Sequence, residues 1–215
     1  MDIIIRQALA QDTEFLIDSI VNAEKSGREK VTYCQIFSIS EEDLRNVLRQ
    51  ILDEEIEGFE FCIQNFLIAE LGNKVAGAIS GWIEGADGMP SSLLKMNAFS
   101  FFLPKAKIDA ARQRIKLIEE IAIEREAGCL QLDCVYTIPE YSGQGISGKL
   151  IDAHLKQAKK LQTNKSQIIL MKENATALRA YEKAGFHKVL EKVSDNLEIA
   201  DILPGSGKIL LERQL

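Results

Sequence analysis

Histidine and cysteine, the usual ligands of zinc, are scarce in this sequence of 215 residues. It contains only two histidines, and its four cysteines (Cys34, Cys62, Cys129 and Cys134) form no Cys-x-x-Cys pair. Structural zinc sites use closely spaced cysteine and histidine ligands, so we expect no metal in this protein. A few scattered cysteines are also typical of a protein whose thiols stay reduced in the cytoplasm.

Long hydrophobic runs and an excess of positive charge are lacking as well. No apolar stretch approaches the roughly 18 residues of a membrane span. Residues 1–6 have neither the basic start nor the apolar length of a signal peptide. We therefore expect a cytoplasmic protein without a membrane partner. The net charge of −6 also argues against a nucleic-acid partner, which requires a basic surface.

The composition that remains is that of one folded domain. Apolar residues make up 46% of the chain and charged residues 27%, which is typical of globular proteins. A chain of this length can bury a substantial core. The sequence has no internal repeat or linker, so we expect a single domain over residues 1–215.

A glycine-rich stretch stands between a predicted strand and a predicted helix. The strand-like residues 130–137 precede Ser142-Gly143-Gln144-Gly145-Ile146-Ser147-Gly148, and a helical pattern with one apolar stripe follows. The first four N–H groups of a helix have no partner within the helix, and the helix dipole favours negative charge there. Glycines leave these groups uncovered, so the stretch is predicted to hold a phosphate or pyrophosphate.

The spacing Gly143-x-Gly145-x-x-Gly148 also matches the dinucleotide fingerprint of Rossmann folds. In those folds the glycines follow the strand almost directly, whereas residues 138–142 intervene here. No series of strand–helix units follows either. A Rossmann-like nucleotide-binding domain is therefore only a secondary alternative.

A second motif follows the next predicted strand, residues 167–171. It reads Asn174-x-x-Ala177-x-x-x-Tyr181-x-x-x-Gly185-Phe186. Asparagine commonly caps the start of a helix, and glycine commonly stands where a helix ends. The motif therefore predicts a short helix with Ala177 and Tyr181 on one face.

Together, the two motifs resemble the GNAT superfamily of acyl-CoA N-acyltransferases. In that family a strand ends near a proline, the acyl-CoA loop reads Gln/Arg-x-x-Gly-x-Gly/Ala, and a later helix reads Asn-x-x-Ala-x-x-x-Tyr-x-x-x-Gly-Phe. Pro139 and Gly145 match the first pattern, and residues 174–186 match the second. Ser142 replaces the usual Arg or Gln, which removes one phosphate contact, and Ser147 replaces the usual Gly or Ala.

The resemblance implies an α+β fold. Its mixed, mostly antiparallel sheet would have about seven strands, splayed between the fourth and fifth, with helices on both sides. The order of the predicted elements agrees with this fold. These elements are a strand at residues 2–8, a helix from Asp12 or Thr13, a helix after Ser40, a hairpin turning at Gly72-Asn73, and final strands at residues 187–194 and 207–213 around a polar loop.

Residues 87–127 form an insertion that the family pattern does not explain. Apolar residues that include Phe101 and Phe102 precede a long helix, which is predicted from Pro104 to Gly128. We favour an added helical hairpin packed on the sheet. The alternatives are a dimer surface, which would make the protein a homodimer, or a lid over the acceptor site. Of the two histidines, His154 is expected on a helix surface and His187 in a strand.

The resemblance also implies a function. The protein would transfer an acetyl group from acetyl-CoA to a primary amine of a small-molecule or peptide acceptor, by direct attack in a ternary complex. Strands four and five would part at a bulge near Tyr136 and Thr137 to admit the pantetheine arm. The residues expected to bind acetyl-CoA are Tyr136, Thr137, Ile138, Ser142, Gly143, Gln144, Gly145, Ile146, Ser147, Gly148, Lys149, Asn174, Ala177 and Tyr181.

Catalysis would need a proton donor and a base. By resemblance, Tyr181 would protonate the departing thiolate. Asp133 and Glu84 are candidate bases for the acceptor amine, together with Tyr136. Strand alternation places Asp133 and Tyr136 on opposite faces unless the bulge intervenes. A GNAT-fold sensor that binds acyl-CoA without turnover is the alternative to an enzyme.

Overall fold

A seven-stranded sheet forms the centre of the computed structural model, which describes residues 2–215. In their order across the sheet, the strands are β1 (Ile3–Gln7), β2 (Phe66–Leu71), β3 (Lys74–Ile83), β4 (Leu130–Thr137), β5 (Lys165–Met171), β7 (Gly207–Gln214) and β6 (His187–Val193). Neighbouring strands are antiparallel except for the parallel pair β4 and β5. The expected α+β architecture is therefore confirmed.

Helices cover both faces of the sheet and enclose two apolar cores. They are α1 (Thr13–Lys25), α2 (Thr32–Phe37), α3 (Glu41–Asp53), α4 (Ser91–Phe102), α5 (Lys105–Glu119), α6 (Ile146–Lys160), α7 (Ala175–Lys183) and α8 (Leu197–Ile202). Helices α1 to α5 and α8 contribute to the core on one face, and α6 and α7 contribute to the core on the other. Because both faces are covered, central strands such as β2 are buried at nearly every position.

Local sequence signals set two boundaries as predicted. The Ser40 hydroxyl accepts a hydrogen bond from the Asp43 N–H at 3.0 Å, and the Ser40 N–H donates to the Asp43 carboxylate at 3.3 Å. This capping box opens α3. Gly72 and Asn73 have φ angles of 58° and 64°, as a two-residue hairpin turn requires. Both predictions are confirmed.

Two helices and one helix end differ from the sequence prediction. Helix α2 was not expected, and α8 occupies the segment predicted as a polar loop. Helix α5 ends at Glu119 rather than at Gly128. Beyond this end, the Arg125 side chain donates to Gln131 at 3.1 Å and to Asp133 at 2.8 Å and holds its segment beside β4.

The predicted helical hairpin exists as α4 and α5, and it packs mainly on α2, α3 and α8 rather than on the sheet. The Phe99 ring lies 4.9 Å, centroid to centroid, from both Tyr33 and Phe37. Phe102 is partly buried against this core, whereas Phe101 is 79% exposed. The homodimer expected through these two aromatic residues stays a prediction.

His154 is buried rather than on a helix surface, which corrects the sequence prediction. Its Nε2 atom lies 3.4 Å from the Ile79 carbonyl oxygen. A Cβ atom at Gly81 would come within 2.7 Å of its Nδ1 atom, so the glycine makes room for the ring. Burial lowers the pKa of His154 to about 4, against the opposing effect of the Ile79 carbonyl. His187 lies in β6 as predicted and is exposed.

Across residues 2–215, no helix has the length and apolar character needed to cross a bilayer.

Candidate functional site

The site begins where β4 and β5 part. The two strands pair through only three positions of β4, from Leu130 to Leu132. Beyond them, the β3–β4 register shifts so that Cys134 and Val135 together oppose Ile79. Cys134 has a φ of 51°, and its N–H donates to the Asp133 carboxylate at 2.8 Å. These features define a β-bulge.

The bulge lies at Cys134 and Val135, slightly before the Tyr136–Thr137 position that the sequence predicted. The Asp133 carboxylate gives the physical reason, since it accepts the N–H of the left-handed residue that follows it. The extra residue also changes which side chains share a face of β4. Asp133 and Tyr136 consequently line the same cavity, although simple alternation would separate them.

A cavity of about 780 Å³ opens in this gap. Its walls come from α1 and α2, from β4 and β5, from α7, and from the hairpin of α4 and α5. The hairpin contributes Lys95, Met96, Ile115 and Ile118. The insertion is therefore a wall of the cavity. Volumes of roughly 300–1,000 Å³ are typical of small-molecule sites.

A second cavity of about 760 Å³ lies at the N-terminus of α6 and shares Thr137, Ser142 and Thr176 with the first. Gly143 and Gly145 have φ angles of 78° and 79°, and Gly145 is the N-cap of α6. Among the described residues, no heavy atom lies within 4 Å of a Cβ placed at Gly143, Gly145 or Gly148. The space beside these glycines at the helix end is therefore open.

Most residues predicted to bind the cofactor line one of these cavities. Tyr136, Thr137, Ser142, Asn174, Ala177 and Tyr181 line the first, and Gly143, Gly145, Ile146, Ser147 and Gly148 line the second. Ile138, Gln144 and Lys149 lie outside both linings. The Ile138 N–H donates to the Ala76 carbonyl at 2.9 Å, while Gln144 and Lys149 are exposed.

Glu84, one of the predicted bases, lies away from both cavities. It is buried, with 4% of its surface exposed. One carboxylate oxygen accepts the Ser91 N–H at 2.8 Å, and the other accepts the Trp82 indole N–H at 3.0 Å. Because both oxygens are engaged, Glu84 holds the start of α4 and is not positioned as a base.

Helix α7 presents the second motif to the first cavity. The Asn174 side chain accepts the Ala177 N–H at 3.1 Å, so the predicted helix cap is confirmed. Gly185 has a φ of 85° just after the helix, as its predicted role requires. Tyr181 is buried and lines the cavity. Burial raises the pKa of Tyr181, and the nearby Asp133 adds to this effect, so the phenol stays protonated at neutral pH.

Sequence reasoning missed five charged side chains that line the first cavity: Glu24, Glu60, Lys95, Arg125 and Lys208. They come from five separate segments, so no local motif connects them. Of the five, only Glu24 could have been noticed from the sequence. It continues the stripe of Ile17, Ile20 and Val21 in α1, which is a position where an apolar residue is expected.

Three of these five side chains form ion pairs, and two do not. Lys95 pairs with Glu60, and Arg125 pairs with Asp133 at 2.8 Å. Glu24 and Lys208 form no ion pair with any of residues 2–215. Burial raises the pKa of Glu24 to about 7, although Lys95 opposes the shift. Burial and the charge of Lys95 lower the pKa of Lys208 to about 8.

Several solved structures that share this fold are acetyltransferases. An N-acetyltransferase from Staphylococcus aureus Mu50 has a TM-score of 0.69 at 18% identity, with 98% of this chain and 100% of that chain covered. The paia N-acetyltransferase from Thermoplasma acidophilum, in complex with coenzyme A, has a TM-score of 0.52 at 18% identity and full coverage of both chains (100% and 100%). A ribosomal-protein-alanine N-acetyltransferase from Brucella melitensis has a TM-score of 0.55 at 16% identity, with 99% of both chains covered.

The comparison with family models identifies the family directly. A search of curated proteins found no match. The model of the Acetyltransferase (GNAT) family matches residues 33–186, which is well over half of the chain and includes the bulge, the glycine-rich stretch and the α7 motif. The chain belongs to the GNAT family of acetyltransferases.

Proposed function

We propose that the protein is an N-acetyltransferase that transfers the acetyl group of acetyl-CoA directly to a primary amine in a ternary complex. One observation carries this proposal. The cavity at the parted strands contains a buried phenol, Tyr181, and an unpaired carboxylate, Glu24, and it joins the open N-terminus of α6.

The residues around both cavities fit an acyl-CoA. The backbone N–H groups of residues 143–148 are suited to the pyrophosphate, because helix N-termini favour anions and no side chain fills the space at these glycines in the described chain. Arg179, Lys183 and Arg213 add positive charge to the second cavity. Beyond Leu132, β4 has no ladder to β5, so its backbone groups on that side are free for the pantetheine amides.

The side chains in the first cavity can carry out the proton transfers of the reaction, which remove protons from the acceptor nitrogen and add one to the sulfur of coenzyme A. Acetyl-CoA supplies the acetyl group as a thioester. Only about one in 10³ amines with a pKa near 10.4 is neutral at pH 7, so a base is needed. Glu24 takes the first proton from the bound ammonium group and releases it to solvent, which leaves the neutral amine that attacks. It then takes the second proton, which the nitrogen loses as the C–N bond forms, and releases that one to solvent too. A base whose pKa lies near the working pH is the most effective. Tyr181 donates its proton to the sulfur as the C–S bond breaks and then regains one from solvent.

Asp133 has a different role from the one that the sequence suggested. One of its oxygens accepts the Cys134 N–H at 2.8 Å, and the other accepts Arg125 at 2.8 Å. Both oxygens are therefore occupied by hydrogen-bond donors. We infer that Asp133 holds the bulge and Arg125 in place, and that Glu24 is the base.

A sensor that binds acyl-CoA without turnover is the second candidate function. The replacement of the usual loop side chains by Ser142 and Ser147 favours it, because weaker phosphate contacts suit reversible binding. A sensor needs neither a buried proton donor nor an unpaired base in the cavity. Tyr181 and Glu24 therefore favour the enzyme.

The test is an assay of acetyl-CoA against a panel of amines, read as thiol release and confirmed by product mass. Removing the Tyr181 hydroxyl should spare acetyl-CoA affinity, since the phenol acts only as the C–S bond breaks. Coenzyme A is a fairly good leaving group, so Tyr181→Phe should lower kcat by about 10²-fold, the lower end of the range for a general acid.

Phe186→Leu is the matched control for packing around the phenol. The Phe186 ring lies 6.5 Å, centroid to centroid, from the Tyr181 ring, so this change disturbs packing without removing a proton donor. It should lower stability and leave kcat within about twofold. Turnover by Tyr181→Phe within about twofold of the unaltered protein would exclude Tyr181 as the proton donor.

A further inference from the structure

We propose that the acetyl acceptor carries an anionic group, such as a carboxylate, in addition to its amine, and that Lys208 binds this group. The inference rests on the proposed function, because it names the substrate class of the same cavity. Lys208 is then a specificity-determining residue rather than a proton donor or acceptor.

The charges of the cavity are balanced but incompletely paired. Three acidic side chains (Glu24, Glu60 and Asp133) and three basic ones (Lys95, Arg125 and Lys208) line it. Two ion pairs, Lys95 with Glu60 and Arg125 with Asp133, account for four of these groups. One positive and one negative side chain remain, which is the complement of a zwitterion.

Lys208 differs from the two lysines at the ends of β5, Lys165 and Lys172. Lys165 pairs with Glu126 at 2.7 Å, and Lys172 pairs with Glu191 at 3.3 Å. Lys208 stands beside Met171 at the start of β7 and lines the cavity without a carboxylate partner among residues 2–215. Enclosing an unpaired ammonium group is costly, and an anionic ligand would remove that cost.

The two unpaired groups approach the gap from opposite sides. Glu24 comes from α1, which packs on β4, and Lys208 comes from β7, which pairs with β5. An acceptor lying across the gap can therefore place its amine at Glu24 and its anionic group at Lys208. The amine then lies on the side of the β4 bulge, where the thioester is expected.

A polycationic acceptor fits this cavity poorly. A polyamine would bring two or more positive charges to a wall whose carboxylates are matched one for one by basic groups. Lys208 would repel its second amine, because like charges that share a low-dielectric site destabilise each other. Spermidine is accordingly the contrasting probe in the test.

The experiment compares matched acceptors with acetyl-CoA: amino carboxylates from glycine to 6-aminohexanoate and several L-amino acids, each beside its carboxamide, with spermidine as the contrast. We expect kcat/KM for the preferred carboxylate to exceed that for its carboxamide at least tenfold. A hydrogen-bonded charge pair contributes about 1.5–3 kcal/mol, so Lys208→Met should lower kcat/KM for the carboxylate about 10- to 100-fold and leave the carboxamide within about twofold.

Two further variants and a pH series complete the test. Lys208→Arg keeps the charge and should keep part of the preference for the carboxylate. Lys160→Met changes an exposed lysine at the end of α6 and should leave kcat/KM unchanged for both the carboxylate and the carboxamide. The ratio of kcat/KM for the carboxylate to that for the carboxamide should fall above about pH 8 in the unaltered protein and stay flat in Lys208→Met. Burial, with the charges of Lys95 and Arg125, lowers the pKa of Lys208 to about 8 against the opposing effects of Glu24 and Asp133. Lys192 of β6 is the charged residue directly opposite Lys208 in the sheet.

The outcomes separate this inference from the proposed function. Acetylation of spermidine or of carboxamides in preference to carboxylates would overturn the substrate class while leaving the acetyltransferase intact. An unchanged preference in a folded Lys208→Met protein would overturn the role of Lys208. Failure to acetylate any amine would overturn the proposed function, and the inference would fall with it.

Discussion

At the scale of single residues, the cavity contains two kinds of side chain: some that a sequence motif identifies and others that no motif identifies. Tyr181 and Asn174 belong to a contiguous pattern with a fixed helical spacing, and the structure places both at the cavity. Glu24 and Lys208 are far apart in the chain and belong to no pattern. Their protonation depends on burial, which the fold creates, and this is why sequence reasoning named Asp133 and Glu84 as bases instead.

Replacing Glu24 should change the pH dependence of the reaction. With an acceptor amine that carries no anionic group, such as an amino carboxamide, kcat/KM should rise with a midpoint near pH 7 to a plateau at higher pH, because burial raises the pKa of Glu24 to about 7 and the base must be ionised. Glu24→Gln should lower kcat/KM at pH 7.5 by about 10²-fold or more. For Glu24→Gln, kcat/KM should continue to rise with pH up to the pKa of the amine itself, near 10.

Asp133→Asn is the comparison that decides between the two carboxylates. It removes a bond to Arg125 and weakens the bulge, so we expect lower activity with the plateau still near pH 7. If Asp133→Asn abolishes the plateau and Glu24→Gln retains it, the base is Asp133. Initial rates between pH 5.5 and 9.5 measure the difference.

At the scale of secondary-structure elements, the N-terminus of α6 is the feature that the sequence predicted best. Three glycines and a following helical pattern sufficed, because a helix end with uncovered N–H groups is a local property of the backbone. The bulge in β4 was placed less accurately. Its position depends on the Asp133 side chain and on the register with β3, which join residues distant in sequence.

Gly145→Val should abolish the stabilisation of the protein by CoA. Gly145 has a φ of 79°, which a β-branched residue rarely adopts, and a side chain there would enter the space left for phosphate. At one hundred times Kd, CoA should stabilise the unaltered protein by about 2.7 kcal/mol, with little response to NAD or ATP. Thermal unfolding with each ligand measures these shifts.

Gly88→Val is the control for backbone strain. Gly88 also has a φ of 79° and no neighbour within 4 Å among the described residues, but it lies in the loop before α4, outside both cavities. It should lose similar stability and keep the full CoA response. A CoA response that persists in a folded Gly145→Val protein would place the phosphate site elsewhere.

At the scale of the whole molecule, His154 should link stability to pH. Burial lowers the pKa of His154 to about 4. This side chain therefore takes up a proton near pH 6.5 in the unfolded chain but only near pH 4 in the folded protein. Stability is therefore full above pH 6.5 and falls as the pH drops through this window. Between pH 7.5 and pH 5 the loss attributable to this residue should be about 2 kcal/mol.

Denaturant unfolding of two variants tests this linkage. His154→Gln should be less stable at pH 7.5, because packing is lost, but its free energy of unfolding should fall less steeply toward pH 5 than that of the unaltered protein. His187→Gln, which changes the exposed histidine of β6, should keep the original slope. Parallel slopes for the unaltered protein and His154→Gln would contradict a neutral, buried His154.

The sequence by itself determined the family, the α+β architecture and the glycine-rich turn at the start of α6, because these depend on periodicity, caps and glycines that act over a few neighbouring residues. The capping box at Ser40, the turn at Gly72-Asn73 and the cap at Asn174 belong to this group. Only the tertiary structure decided which charges meet in the cavity. Four charged side chains meet there because the parting of β4 and β5 leaves a gap that distant segments close: Glu24, Lys95, Arg125 and Lys208. Burial in that gap then raises the pKa of Glu24 and lowers the pKa of Lys208.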